Sequence, residues 1–220
     1  MGSSEGDTTV IAGRRARAEK NDDYRHRRAV MLERAAALFH TNGISETSLS
    51  DIAAAAGLDR ATIYYYFSNK EEIVAEVVRE AVVHSTTAIA AIATGDLAPV
   101  DKLHRMIVVS MQLFDRHYPH LFVFLREDMT RSTPPGFRTW LQTTTEQAEA
   151  LWRGVLDEGL DSGVFGTNLP VDVVLPAVIG ALTSAAQWYR PDCGISPEAV
   201  GDGVAELLIA GLRAHQPSAD

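Results

Sequence analysis

Apolar residues recur at helical spacing along nearly the whole chain, and no stretch alternates apolar with polar residues over a β-branched run. From Tyr24 onward, Met31, Ala35, Leu38 and Phe39 form one helical stripe. Asn42-Gly43 ends it, because glycine tolerates the left-handed backbone of a C-terminal cap. Ser48, three residues before Asp51, has capping-box spacing and starts a short helix through Ala56, which Gly57 closes. Asp59 caps a third helix, Arg60 to about Tyr66, and Ser68-Asn69-Lys70-Glu71 opens a long helix towards Ala93. Further helices are expected from Pro99, over Leu121 to Met129, Phe137 to Leu160 and Pro170 to Tyr189, and from Pro197 to His215. Tyr118-Pro119 and Pro134-Pro135-Gly136 are breaks. The pattern predicts an all-α fold of about nine helices.

Residues 1–22 lack this periodicity and read as a mobile basic arm. A helix-turn-helix domain is expected over 23–70 and a helical ligand-binding and dimerisation bundle over 71–220. Charge is divided unevenly. Residues 1–70 hold ten Lys/Arg against nine Asp/Glu, and the remainder holds ten against twenty, so the net charge of −9 belongs to the second part. Only the N-terminal end could approach a polyanion favourably.

The helix pair Asp51–Ala56 and Arg60–Tyr66 has the dimensions of a helix-turn-helix. Alanines at 53–56 allow a close crossing, while Ile52, Leu58, Ile63 and Phe67 supply apolar contacts that fix its angle. The second helix presents Arg60, Ala61, Thr62, Tyr65 and Tyr66, and residues 60–70 contain no acid. A basic, aromatic surface of this kind suits DNA better than it suits a plain protein-interaction module.

The run Met31-Leu32, Ala35, Leu38-Phe39, Gly43, Thr47-Ser48-Leu49, Asp51-Ile52-Ala53, Ala56-Gly57-Leu58, Ala61 to Phe67 and Asn69-Lys70-Glu71 strongly resembles the DNA-binding domain of the TetR family of transcriptional regulators. The resemblance implies a homodimeric, ligand-released repressor on a pseudo-palindromic double-stranded DNA operator. It implies Thr47 and Ser48 at the DNA backbone, and Arg60, Ala61, Thr62 and Tyr65 at base edges or nearby phosphates. Tyr64, Tyr66 and Lys70 would meet phosphate, with Tyr66 standing where the family often has His. The C-terminal part, with Gly180-Ala181 and Trp188-Tyr189-Arg190-Pro191, looks like a subgroup that often controls fatty-acid or steroid breakdown and answers to acyl-CoA thioesters. That subgroup commonly has Asn-Trp where this chain has Thr183-Ser184. A dimer interface is expected from the last two helices, whose small residues allow close approach.

An effector pocket is expected among residues 99–190, with Leu103, Ile107, Met111, Phe114, Phe122, Phe124, Trp140, Trp152 and Trp188 as apolar lining and Arg126, Arg138, Arg153 or Arg190 holding an anionic group. A regulator of multidrug type remains the alternative. No catalytic motif, cofactor loop or metal site is expected: His117-x-x-His120 near Asp115 is interrupted by Pro119, and the lone Cys193 has no partner thiol. Val173 to Gln187, the longest charge-free apolar run, is shorter than the roughly 20 residues of a membrane helix. The expectation is a soluble, cytoplasmic chain.

Overall fold

The computed structural model describes residues 5–126 and 128–213, with side chains from position 22 onward except at 130. The fold is all-α. Among the described residues ten helices follow one another: α1 Glu5–Asn42, α2 Leu49–Ala55, α3 Arg60–Tyr66, α4 Lys70–Ala93, α5 Pro99–Arg116, α6 His120–Arg126, α7 Met129–Ser132, α8 Pro135–Asp161, α9 Val171–Trp188 and α10 Pro197–Arg213. Two differences from expectation stand out. The segment expected as one helix over 121–129 is divided into α6 and α7. Residues 5–21, expected as an arm without regular structure, continue α1 as helix. Ala, Arg, Glu and Lys dominate there, and such residues propagate a helix without an apolar stripe once a packed segment has nucleated it. Residues 214 and 215, expected in the last helix, lie outside the described residues.

The chain divides into two compact units, one ending at Val74 and the other beginning at Ala75, within α4. In the first unit, Met31, Ala35 and Phe39 of α1 are buried with Ile52, Ile63, Phe67 and Ile73. These are the positions of the predicted stripe, with Leu38 half-buried at its margin.

In the second unit, Leu103, Met106 and Ile107 of α5 are fully buried against Trp152 and Leu156 of α8, Val178 of α9 and Ala205 of α10. A second cluster joins Met111, Phe114, Leu121, Ala185 and Tyr189. Two glycines set close approaches. A Cβ on Gly159 would overlap the ring of Phe165, and one on Gly201 would stand 2.7 Å from the Val108 backbone, so α10 lies against α5 with no side chain between them. Lys102 of α5 is buried, and its ammonium donates to Glu158 of α8 at 2.8 Å. A buried ammonium without such a carboxylate would be strongly destabilising.

Candidate nucleic-acid interface and effector cavity

The helix-turn-helix is fixed by local hydrogen bonds. Ser48 Oγ accepts from the Asp51 amide at 3.2 Å, and Asp51 Oδ2 accepts from the Ser48 amide at 2.9 Å, completing the predicted capping box. Gly57 takes φ of 71°, and the Leu58 amide returns to the Ala53 carbonyl at 2.9 Å, which closes α2. Asp59 then caps α3, accepting from the Thr62 amide at 2.7 Å and from the Thr62 hydroxyl at 3.0 Å. Hydrogen bonds from Ser48 hold the Asp51 carboxyl below its ordinary range, and the Thr62 amide and hydroxyl do the same for Asp59.

Arg60, Ala61, Tyr64 and Tyr65 emerge on the outside of α3, with Tyr65 69% exposed. Thr62 is half-buried, and its hydroxyl and amide are both taken by Asp59, so the α3 N-terminus offers fewer free donors than the sequence suggested. Tyr66 stacks on Tyr24 of α1 with ring centroids 4.8 Å apart, and Tyr65 meets both rings edge-on. Sequence reasoning missed Tyr24. Its only sequence signal was an aromatic at the start of the periodic part of α1.

Two side chains expected at DNA are engaged within the fold. Thr47 is buried, and its hydroxyl donates to the Gly43 carbonyl at 2.8 Å. The Lys70 ammonium donates to the carbonyls of Ile44 at 2.6 Å, Ser45 at 3.4 Å and Thr47 at 2.9 Å, which commits its three protons. Both side chains are occupied in building the turn before α2 rather than presented outward. Ser48 is exposed, though its hydroxyl is engaged with Asp51.

In the second unit a cavity of about 230 Å³ lies among α4, α5, α6, α8 and α9. Met111, Phe114, Phe124 and Trp152 line it, together with Ser85, Thr86, Ser110 and Thr183. No ionisable side chain is among its described lining. Leu103 and Ile107 do not line it; they are wholly buried in the core. Phe122, Arg126 and Arg190 also stand apart from the lining, the guanidiniums of Arg190 and Arg126 lying 4.9 and 5.3 Å from the Phe122 ring centroid. Trp140 instead packs under Arg79 at 4.2 Å, and Trp188 is exposed at the end of α9.

The Trp-Tyr-Arg-Pro segment therefore acts first on the fold. Tyr189 is buried and donates to Asp115 at 2.7 Å, and Arg190 donates to the carbonyls of Gln187 and Tyr189. Burial, helped by Asp115, raises the Tyr189 hydroxyl well above the ordinary tyrosine value. An open cleft of about 760 Å³ shares Phe124 with the cavity and carries Asp128, Arg138 and Gln142. Arg153 is paired with Asp172 at 2.8 Å. His117 meets His84 at 3.1 Å, and among the described residues no group of three His, Cys, Asp or Glu side chains could hold a metal.

The pattern described as bacterial regulatory proteins of the tetR family matches residues 31–77, and the tetracyclin repressor-like C-terminal domain matches residues 96–212, more than half of the chain. The chain belongs to the TetR family. Among TetR-family relatives, the HTH-type transcriptional repressor KstR2 of Mycobacterium tuberculosis is 26% identical over 186 residues, which cover 84% of this chain and 92% of that protein. The solved structure of that ketosteroid transcriptional regulator superposes with a TM-score of 0.79, covering 84% of this chain and 94% of that one. The TetR-family regulator PfmR of Thermus thermophilus is 30% identical with a TM-score of 0.76, covering 83% of this chain and 98% of that one. AibR, solved with isovaleryl coenzyme A and operator DNA, shares the fold at 20% identity and a TM-score of 0.73, covering 83% of this chain and 98% of that one. The protein is thus a helix-turn-helix transcriptional regulator and not an enzyme.

Proposed function

We propose that this regulator is a homodimeric repressor that reads a pseudo-palindromic operator through α3 and is released by an amphiphilic acyl effector, an acyl-CoA thioester. The DNA reading rests on one observation: Arg60, Ala61, Tyr64 and Tyr65 project from a short helix whose two ends and whose angle to α2 are all fixed by hydrogen bonds and apolar contacts. Two-fold symmetry of the protein would impose two-fold symmetry on the site. The outward face of α9, with Val173, Gly180 and Trp188, and that of α10, with Gly203 and Leu207, supply the exposed apolar and small surface a dimer would bury. That covering also accounts for α9 being long and apolar enough by composition to cross a bilayer while only its inner face joins the core. The protein would then work in the cytoplasm, where its operator is.

The effector reading rests on the charge-free cavity. An apolar acyl chain fits it, and a cation does not, because no carboxylate lines it to offset desolvation. This favours an acyl compound over the cationic drugs of multidrug-type regulators. Arg138, in the open cleft that shares Phe124 with the cavity, would meet a phosphate outside it. A repressor of this kind releases DNA only if its effector binds the DNA-incompetent state more tightly. The test is a gel shift and footprint across salt concentrations, followed by thermal-shift screening of acyl-CoAs beside cationic drugs. Symmetric protection, steep salt dependence and release by acyl-CoA are expected. An asymmetric monomer footprint would overturn the first reading, and release by cationic drugs alone would overturn the second.

A further inference from the structure

Helix α3, which meets the bases in the function proposed above, has seven residues, and only Ile63 among them is buried. A helix this short is not stable alone, so its position is set by what it packs on. Its first turn is held by the Asp59 cap. Its last turn is met by α1. Tyr24, Arg28 and Met31 follow one another on α1 at helical spacing, half-buried, half-buried and buried. The Arg28 guanidinium lies 4.6 Å from the centroid of the Phe67 ring, at the C-terminal cap of α3. Tyr24 lies nearly flat on Tyr66, with centroids 4.8 Å and planes 25° apart. The exposed Tyr65 is touched edge-on by both rings, its centroid 5.9 Å from that of Tyr24 and 5.1 Å from that of Tyr66. Three tyrosines from two helices thus make one surface cluster, and Tyr24 is the member that α1 supplies.

We propose that Tyr24 is a positioning residue for base reading: its ring holds the last turn of α3 and keeps Tyr65 in the orientation in which that side chain meets DNA. This rests on the reading of α3 as the DNA-contacting helix and adds a residue from outside the helix-turn-helix. A tyrosine free to rotate must be ordered when DNA binds, which lowers affinity. Two ring contacts restrict Tyr65 before DNA arrives, so that ordering is already complete in the free protein. The role belongs to the ring of Tyr24 and not to its hydroxyl, because stacked and edge-to-face contacts are made by ring faces and edges. Binding that ignores sequence rests instead on cations at phosphates, and the three tyrosines add none. Loss of the Tyr24 ring should therefore reduce discrimination between sequences more than it reduces the grip on DNA.

The experiment uses the full-length protein, with two probes: a duplex that the natural sequence enriches from a random pool, and a scrambled duplex of the same composition. Tyr24→Phe keeps the ring and removes the hydroxyl. Tyr24→Leu keeps apolar cover and removes the flat face. Tyr24→Phe should bind both duplexes as the natural sequence does. Tyr24→Leu should lose roughly three- to tenfold on the enriched duplex, as the loss of aromatic contacts provides. On the scrambled duplex its loss should stay below about twofold, with an unchanged salt slope. Undiminished discrimination in Tyr24→Leu would overturn the positioning role. So would a loss in Tyr24→Phe as large as that in Tyr24→Leu, which would make the hydroxyl the contact. Equal losses on both duplexes with a lowered melting temperature would leave Tyr24 a residue of the fold alone, and overturn the role as well. If the natural sequence enriches no duplex from the pool, the DNA reading of α3 itself falls.

Discussion

The ammonium of Lys70 stands 2.6 Å from the Ile44 carbonyl and 2.9 Å from that of Thr47, so the first residue of α4 closes the turn that leads into α2. These carbonyls lie where the chain leaves α1, and a charge-assisted donor meets them from 26 and 23 residues away in sequence. Lys70→Ala should therefore destabilise the first unit by about 1–3 kcal/mol and speed amide exchange over residues 43–48. DNA affinity should fall with little change in its salt slope. A slope reduced by about one with unchanged stability would instead place Lys70 at a phosphate.

Arg60 is exposed at the start of α3, next to the exposed Ala61 and two residues before the Asp59-bound Thr62. In the reading proposed above, its guanidinium meets a guanine edge. Arg60→Ala should weaken cognate binding by about 1–3 kcal/mol and affect nonspecific DNA far less. Competition titrations against scrambled duplex measure the ratio. An unchanged ratio removes Arg60 from the base-reading set.

What was legible in the sequence was mostly local. The Ser48–Asp51 box, the Asp59 cap and the Gly57 turn each lie within five residues of their partners, so spacing alone announced them. The pairs that define the sites are distant: Tyr24 on Tyr66, Lys70 on Ile44, Tyr189 on Asp115 and His84 on His117. No periodicity encodes them. Leu103 and Ile107 were assigned to the pocket with Met111 and Trp152 because residue type does not separate a cavity wall from solid core; only depth does. Residues 5–21 carry helix formers without a stripe, so a reading based on apolar period passed over them.

His117, at the C-terminal end of α5, faces His84 and Glu80 of α4, Arg116 of its own chain segment and His120 of α6. Burial is the main cause of its lowered pKa, with His84 and His120 adding to it and Glu80 opposing. In the unfolded chain it returns to the ordinary value of 6.5, where the unfolded state binds more protons than the folded one. Its contribution to stability is thus present above pH 6.5 and lost as pH falls below that value through its lowered folded pKa. Thermal melts from pH 7.5 down to 5 should fall less steeply for His117→Asn than for the natural sequence. Parallel curves would show that the pair carries no acid sensitivity.

The two faces of α10 give the last prediction, because neighbouring glycines on it do different things. Gly201 faces inward, where a Cβ would stand 2.7 Å from Val108 Cα. Backbone cannot rotate away as a side chain can, so Gly201→Ala must lift α10 from α5 and should be destabilising by about 1–3 kcal/mol. Gly203 faces outward with open space around its Cβ position, and Leu207, one turn on, is 78% exposed. Substitution of an exposed residue away from special features ordinarily changes monomer stability by less than about 0.5 kcal/mol. Leu207→Glu should accordingly leave the folded subunit intact and bring two like charges into the seam proposed between the subunits, shifting sedimentation towards monomer. Operator affinity should fall with it, since in the proposed dimer each subunit supplies one half-site reader. A Leu207→Glu protein that sediments as a dimer with undiminished DNA binding would move the subunit interface off this face of α10.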